Sequence, residues 1–585
     1  MPNRRDVLKA GATAVATTPA IFGGAVVPGL AHAQLCRPEG IRSPGTEPDS
    51  PPVSVYTQAL YIPPAMAEVD PGDLSPPPDP NRHQRYEDFP PQKHYVQHIT
   101  EGFWNYHDDY TAMNPNGGSP AWMFNGATPG ETMVARYGEP VFVRRYNDLP
   151  LAENAQIPFG YPATTLHLHN AHTASESDGY PMDFAMPGEF WDHHYAMMLA
   201  RNDPREALGS LWYHDHMIDF TATNVYAGLS AMAIFYDDLD TGDENDLNPD
   251  ALRLPGNLQH GGDDAGNANG YDIPLILHDV RFTQEGHPTY NVFDTDGHLG
   301  DVITVNRKVT PFLNVEARKY RFRIYDGGPS RLYELMLSDK SSFHVIATDG
   351  NLLEHPVVAT SIVIGPANRH DVIIDFSNYS AGQTVNLENV MEQINGQGPS
   401  GRRLEGADVM PVMQFRVKQP SGPDYSRVPD FLGELPPINL DEVVAEREWV
   451  FDHDMGLWTV NGEFMDPTVV SAAPRQGTAE IWTFRNAGSS WAHPAHVHFE
   501  EFQVLEWNGK PPTGVLRSRK DVAVLGPNDT AKVFYRFDDF HGSYVIHCHN
   551  NVHEDNAMML RWDIVPRGGD DHDGDDRGNG HGRRR

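Results

Sequence analysis

Four short stretches of this 585-residue chain carry residue types that bind transition metals. The densest is His547-Cys548-His549-Asn550-Asn551-Val552-His553-Glu554-Asp555-Asn556-Ala557-Met558. Before it, Gly542-Ser543-Tyr544-Val545-Ile546 is rich in β-branched and aromatic residues and reads as a strand. Side chains alternate between strand faces, so His547 and His549 are expected on one side and Cys548 on the other. One peptide can then ligate two metal sites, with imidazoles toward one and a thiolate toward the other. His553 and Met558 follow at Cys-x4-His-x4-Met spacing, which suits a loop folding back onto the metal that Cys548 holds. A thiolate, a weak thioether and imidazoles make the ligand set of a blue-copper electron-transfer site, short here of one His.

Upstream stretches supply that His and more. His493-Pro494-Ala495-His496-Val497-His498 gives three imidazoles, and His167-Leu168-His169 and His214-Asp215-His216 repeat the i, i+2 spacing of one strand face. A single such pair is more often a hydrogen-bonded or surface pair. With 29 His in 585 residues, chance does not account for four dense motifs. Thiolate and thioether select copper over hard cations, whereas sites made of His alone accept copper or zinc. Zinc is the runner-up, but neither Cys-x2-Cys nor His-Glu-x-x-His is present, and zinc leaves the Met unexplained.

The four motifs, in this order, resemble those of multicopper oxidases, especially the branch of bacterial spore-coat laccases and bilirubin oxidases. The resemblance extends to Ser177-Asp178-Gly179, Leu211-Trp212-Tyr213-His214-Asp215-His216, Asn224-Val225-Tyr226-Ala227-Gly228 and His553-Glu554-Asp555, and covers most of residues 95–565. One departure is Asn170, where the first motif usually ends in Gly. The resemblance implies four coppers. His493, Cys548 and His553 would hold a type 1 copper with Met558 axial, and His167 and His496 a type 2 copper. His169, His214, His216, His498, His547 and His549 would hold a type 3 pair. It further implies one-electron oxidation of a reductant coupled to reduction of dioxygen to water. Asp178 and Glu554 match acids that deliver protons near the cluster; orienting a ligand imidazole is the competing role for each.

Positioning these residues requires a framework, and the chain shows a threefold repeat. Trp122-Met123-Phe124-Asn125-Gly126 precedes Gly138-Glu139-Pro140-Val141-Phe142-Val143-Arg144 and Asn147. Thr304-Val305-Asn306 precedes Tyr320-Arg321-Phe322-Arg323-Ile324-Tyr325. Trp458-Thr459-Val460-Asn461-Gly462 precedes Ile481-Trp482-Thr483-Phe484-Arg485-Asn486. Turns followed by short alternating strands predict an all-β chain of duplicated sandwiches. The family resemblance makes them three cupredoxin-like Greek-key domains, expected at 91–240, 271–418 and 447–566. A Pro-rich arm is expected at 34–90, a solvated acidic and Gly-rich linker at 241–270 with its acidic run starting at Asp237, a Pro-rich linker at 419–446 and a polar tail at 567–585. The middle repeat lacks His-x-His, so the histidine cluster must form where the first and third domains meet, and the middle one reads as a spacer and pocket wall.

Residues 1–33 read as an export signal, with Arg4-Arg5, an apolar run and Ala31-His32-Ala33 as a cleavage site. The paired arginines resemble a twin-arginine signal, which predicts a periplasmic, cell-surface or extracellular protein. Of two Cys, Cys548 is assigned to metal, leaving Cys36 unpaired. A formal charge of −36 disfavours nucleic acid and anionic lipid, so neither a nucleic-acid nor a membrane partner is expected, and a monomer is. Dioxygen and a phenol or aromatic amine are the expected small-molecule partners. A metallo-oxidase of Cu(I), Mn(II) or Fe(II) is the alternative, with Met182, Met186, Met197 and Met198 as soft-ligand candidates that more simply pack. A non-enzymatic scaffold or electron carrier is third; all twelve ligand positions being filled argues against it.

Overall fold

The computed structural model describes residues 48–257 and 261–567. The expected leader, Cys36 and residues 568–585 of the polar tail lie outside the described residues. Three pairs of sheets follow one another along the chain. The first pair joins a four-stranded sheet (Ser119–Phe124, Lys93–Trp104, Val141–Asn147, Phe190–Tyr195) to a second one (Met133–Arg136, Ser230–Tyr236, Ser210–Asp215, Leu166–His169). The second pair has eight and five strands, the third six and four. Each encloses its own apolar core, around Trp122 and Tyr213, around Phe322 and Phe415, and around Trp482 and Trp562. Fully burying one such ring is worth roughly 1.5–3 kcal/mol.

The sequence repeat corresponds to one structural unit used three times. In each domain a long first strand pairs antiparallel with the strand before the Asn turn and parallel with a strand that follows later in the chain. The turn residues Asn125, Asn306 and Asn461 all have positive φ, at 48°, 49° and 56°. Asn tolerates this left-handed conformation better than other residues with a side chain. In each case its side chain also brackets the first strand. Oδ1 accepts from the N–H of His98, Ile276 or Val450, and Nδ2 donates to the carbonyl of Val96, Pro274 or Glu448.

The metal motifs lie on neighbouring strands. Leu166–His169 and Ser210–Asp215 are antiparallel, with His167 opposite His214. His493–Val497 runs between Val522–Leu525 and Gly542–Cys548, with His496 opposite His547 and Ala495 opposite Cys548. Two short helices, Thr221–Ala227 and Asn551–Asp555, close the junction of the first and third domains. Thr221 Oγ1 donates to Glu554 at 2.6 Å, and the Ala222 N–H donates to Asp555 at 3.0 Å.

The described part of the N-terminal arm touches all three domains. Ser50 bonds Asp301, the Met66 N–H donates to Thr132, and Gln84 bonds Glu176 and the carbonyl of His541. The acidic run from Asp237 to Glu244 departs from the expected solvated linker. Asp240 and Glu244 are buried, paired at 2.6 and 2.5 Å with Arg321 and Arg318 of the middle domain. A buried carboxylate needs a cation and hydrogen bonds to offset its lost hydration, and these arginines supply both.

Candidate metal centre

Cys548 ends its strand with a fully buried thiol. Its Sγ lies 3.4 Å from His493 Nδ1 and 3.5 Å from His553 Nδ1. The Met558 N–H donates to the His553 carbonyl and the Cys548 N–H to the Met558 carbonyl, both at 3.0 Å, which folds the loop back as the spacing anticipates. Met558 is completely buried. Burial pushes the Cys548 thiol far above its ordinary range, and burial drives His493 down to about 3. A soft cation is the natural partner for such a group, because it stabilises the thiolate that apolar surroundings disfavour.

Neither His493 nor His553 presents an exposed imidazole edge to an outside donor. Both rings have no exposed surface. His553 Nε2 donates at 2.9 Å to the carbonyl of Asp296, and Trp458 stacks on the ring at 3.7 Å between centroids and 20° between planes. Trp458 in turn lies against His453 and Trp491, at 4.1 and 5.3 Å, and those two are half-buried.

The eight other histidines converge. His216, His498 and His547 bring their Nε2 atoms within 3.0, 3.2 and 3.3 Å of one another. His214 Nε2 lies 3.4 Å from His169 Nδ1, and His549 is beside both rings, at 5.2 and 5.1 Å between centroids. His167 stacks on His498 at 3.8 Å and His169 on His496 at 3.9 Å. The Nε2 atoms of His167, His496 and His549 are buried without a hydrogen-bond partner. Burial first, then the proximity of the other rings, pushes His167, His169, His496, His498 and His549 well below the ordinary imidazole range. Burial likewise takes His214 to about 4 and His216 to about 3. Neutral imidazoles with orphaned nitrogens aimed at a common centre are what a metal cluster requires, and orphaned polar atoms are otherwise costly.

The outer nitrogens are tied down. His167 Nδ1 donates to the Asp178 carbonyl at 2.5 Å, His496 Nδ1 to the Asp521 carbonyl at 2.8 Å, and His214 Nδ1 to the Asp215 carbonyl at 2.8 Å. The Asp178 carboxylate takes His498 Nδ1 at 2.7 Å. Glu554 spans two rings, with Oε1 3.3 Å from His216 Nδ1 and Oε2 3.2 Å from His547 Nδ1. Burial pushes Asp178 well above the usual carboxylate range. Burial pushes Glu554 up too, but His547 and His216 outweigh it and hold it well below. Gly179 makes the Asp178 contact feasible. Its φ is 88°, and a Cβ there would lie 2.5 Å from the Leu166 carbonyl.

Asn170, the departure in the first motif, has φ 70°, a left-handed conformation glycine would take freely. Its Nδ2 donates at 2.7 Å to the Asp349 carbonyl of the middle domain, a bond glycine lacks. Sequence reasoning missed Asp521 and Arg369, which stand beside His169 and His496; no local spacing marks them. The four methionines after the first motif do not share a surface. Met197 and Met186 pack with the first core, Met198 with the third, and Met182 with Tyr180 and Met465.

Three sandwich domains with a thiolate site one residue from an eight-histidine cluster define a cupredoxin-like metalloprotein. Family models described as multicopper oxidase match residues 108–239, 256–390 and 440–568. A bilirubin oxidase from Albifimbria verrucaria is 34% identical over 76% of this chain and 72% of its own. A laccase from Bacillus subtilis (strain 168) is 31% identical over 76% of this chain and 90% of its own. The crystal structure of a multi-copper oxidase from Pediococcus acidilactici matches 90% of this chain and 94% of its own, with TM-score 0.70 at 23% identity, a likeness of fold. The chain belongs to the multicopper oxidase family, whose members are copper oxidoreductases that use dioxygen.

Proposed function

We propose that the chain is a laccase-like oxidase, exported by a twin-arginine-type leader, that takes single electrons from phenols and aromatic amines and spends four of them in turning dioxygen into water. The observation that carries this reading is the place of Cys548. Its sulfur faces His493 and His553, while the flanking His547 and His549 face the cluster. Electrons therefore have a route of a few covalent bonds between the two sites. His493, Cys548, His553 and Met558 would hold the type 1 copper, and His167 and His496 the type 2. His216, His498 and His547 would hold one type 3 copper, and His169, His214 and His549 the other. Bound copper supplies the electron-accepting and dioxygen-reducing chemistry.

The chain's own residues do the rest. The aromatic donor docks against half-buried Trp491 and His453, and Trp458 lies between that face and His553. Packed aromatic rings shorten the gap an electron must cross, so the buried imidazole needs no direct contact with the donor. Glu554 fixes two cluster imidazoles and holds a proton partner in the Thr221 hydroxyl at 2.6 Å. Asp178 orients His167 through its carbonyl and His498 through its carboxylate. No helix among the described residues is long and apolar enough to cross a membrane.

Dioxygen uptake with a phenol, compared with Cu(I) and Mn(II) as sole reductants, tests the reading. The expected result is faster uptake with the phenol. Uptake with the metal ions alone would instead support a metallo-oxidase.

A further inference from the structure

Seven of the eight cluster histidines turn Nδ1 outward, toward a carbonyl, carboxylate or amide. His169 is reversed. Its Nδ1 faces His214 at 3.4 Å, and its Nε2 faces outward, 3.1 Å from the Asp521 carboxylate. That contact is short but not aligned as a hydrogen bond, and Nε2 has no other hydrogen-bond partner. The same residue's backbone carbonyl accepts from His496 Nδ1, so Asp521 grips two imidazoles that stack on each other at 12°. One of these rings belongs to the first domain and the other to the third.

The countercharge comes from the middle domain. Arg369 Nη1 donates to both Asp521 oxygens at 2.8 Å, and its Nε donates to the carbonyl of Ser210, which opens the strand carrying His214. Arg369, Asp521 and His169 have no exposed surface. The two residues before Asp521 make struts of the same kind. Lys520 Nζ lies 2.7 Å from Asp349 of the middle domain, and Arg519 pairs with Glu206 of the first domain.

We propose that the Asp521–Arg369 pair is a positioning device for the copper cluster, through which the ligand-free middle domain sets the orientation of His169. The Asp521 carboxylate accepts the Nε2–H, which fixes the tautomer and leaves the Nδ1 lone pair toward His214 and His549. Arg369 holds that carboxylate against the strand bearing His214, so ligands from the first and third domains are aligned by a cation from the second. Ligand-orienting partners of this kind typically carry 10–100-fold in metal affinity. The proposal rests on the copper-cluster reading above.

The test loads the full-length enzyme and the variants Asp521→Ala, Asp521→Asn and Arg369→Leu with copper, then dialyses them against a graded chelator. Copper per chain is counted, and electron paramagnetic resonance and the visible thiolate band are recorded. The expected result is a thiolate band unchanged in every variant. Cluster copper should leave Asp521→Ala at roughly 10–100-fold lower chelator concentration than wild type. Arg369→Leu should lie between them, and Asp521→Asn, which keeps an oxygen acceptor, nearest to wild type. If Asp521→Ala does not fold, the order of the other two decides. Retention of cluster copper by Asp521→Ala and Arg369→Leu at wild-type chelator levels would overturn the proposal, as would equal loss from both sites. Wild type lacking cluster copper would sink the underlying reading before any variant is compared.

Discussion

Cys548 sits where burial pushes its pKa far up, outweighing the one backbone N–H that helps it, from Asn550, and its side-chain neighbours are two neutral imidazoles. Cys548→Ser is expected to fold, at a cost of about 1–3 kcal/mol for a buried hydroxyl without a good partner. It should lose both the blue colour and phenol oxidation, which absorbance and dioxygen uptake read directly. Glu554→Gln presents an amide N–H to one of two ring nitrogens that both donate. Dioxygen reduction should fall roughly 10–100-fold, while anaerobic bleaching of the blue band by a phenol keeps its rate. Unchanged turnover would remove Glu554 from the cluster's support. The twelve candidate ligand positions were legible in the sequence because each is part of a local spacing. Asp521 and Arg369 were not, because their meaning lies in three segments that meet only in the fold. Glu554 shows the same limit. Its sequence neighbour is His553, yet its carboxylate points the other way, to His216 and His547.

A strand's alternation and a turn's handedness carry the geometry at the next scale. The period of two around Cys548 could be read from the sequence, since it follows from backbone geometry alone. The repeated Asn turns were legible as punctuation, but not as brackets on the first strand, since the acceptor and donor lie 11 to 32 residues away. The acidic run near Asp240 was misread for a related reason: its partners Arg318 and Arg321 lie far along the chain. Asn170 offers a direct test of turn and tether together. Asn170→Gly should keep the backbone but lose the bond to Asp349, costing about 1 kcal/mol. Asn170→Ala loses the bond and also forces a Cβ-bearing residue without a local polar bond into φ 70°, adding about 1–2 kcal/mol. Thermal unfolding that ranked Ala above Gly would contradict this account of the departure.

The three domains are held around the cluster by struts whose charges set an acid limit on the assembly. Asp539 of the third domain receives His172 and the Arg201 N–H from the first domain and Arg85 from the arm. Burial pushes Asp539 up, but these donors pull harder and take it down to about 2. Its folded pKa is thus depressed, so its stabilisation is present above the ordinary Asp value of about 3.9 and is lost as pH falls toward about 2. Asp539→Asn should therefore be less stable than wild type at neutral pH, with the gap closing as pH falls to about 2. A gap that widened in acid would reverse the assignment. Copper-edge anomalous diffraction from crystals of the copper-loaded chain bears on the whole arrangement at once. One peak should lie within bonding distance of Cys548 Sγ, and three more should lie among the eight cluster histidines. A thiol with no copper beside it, or copper bound away from these side chains, would contradict it.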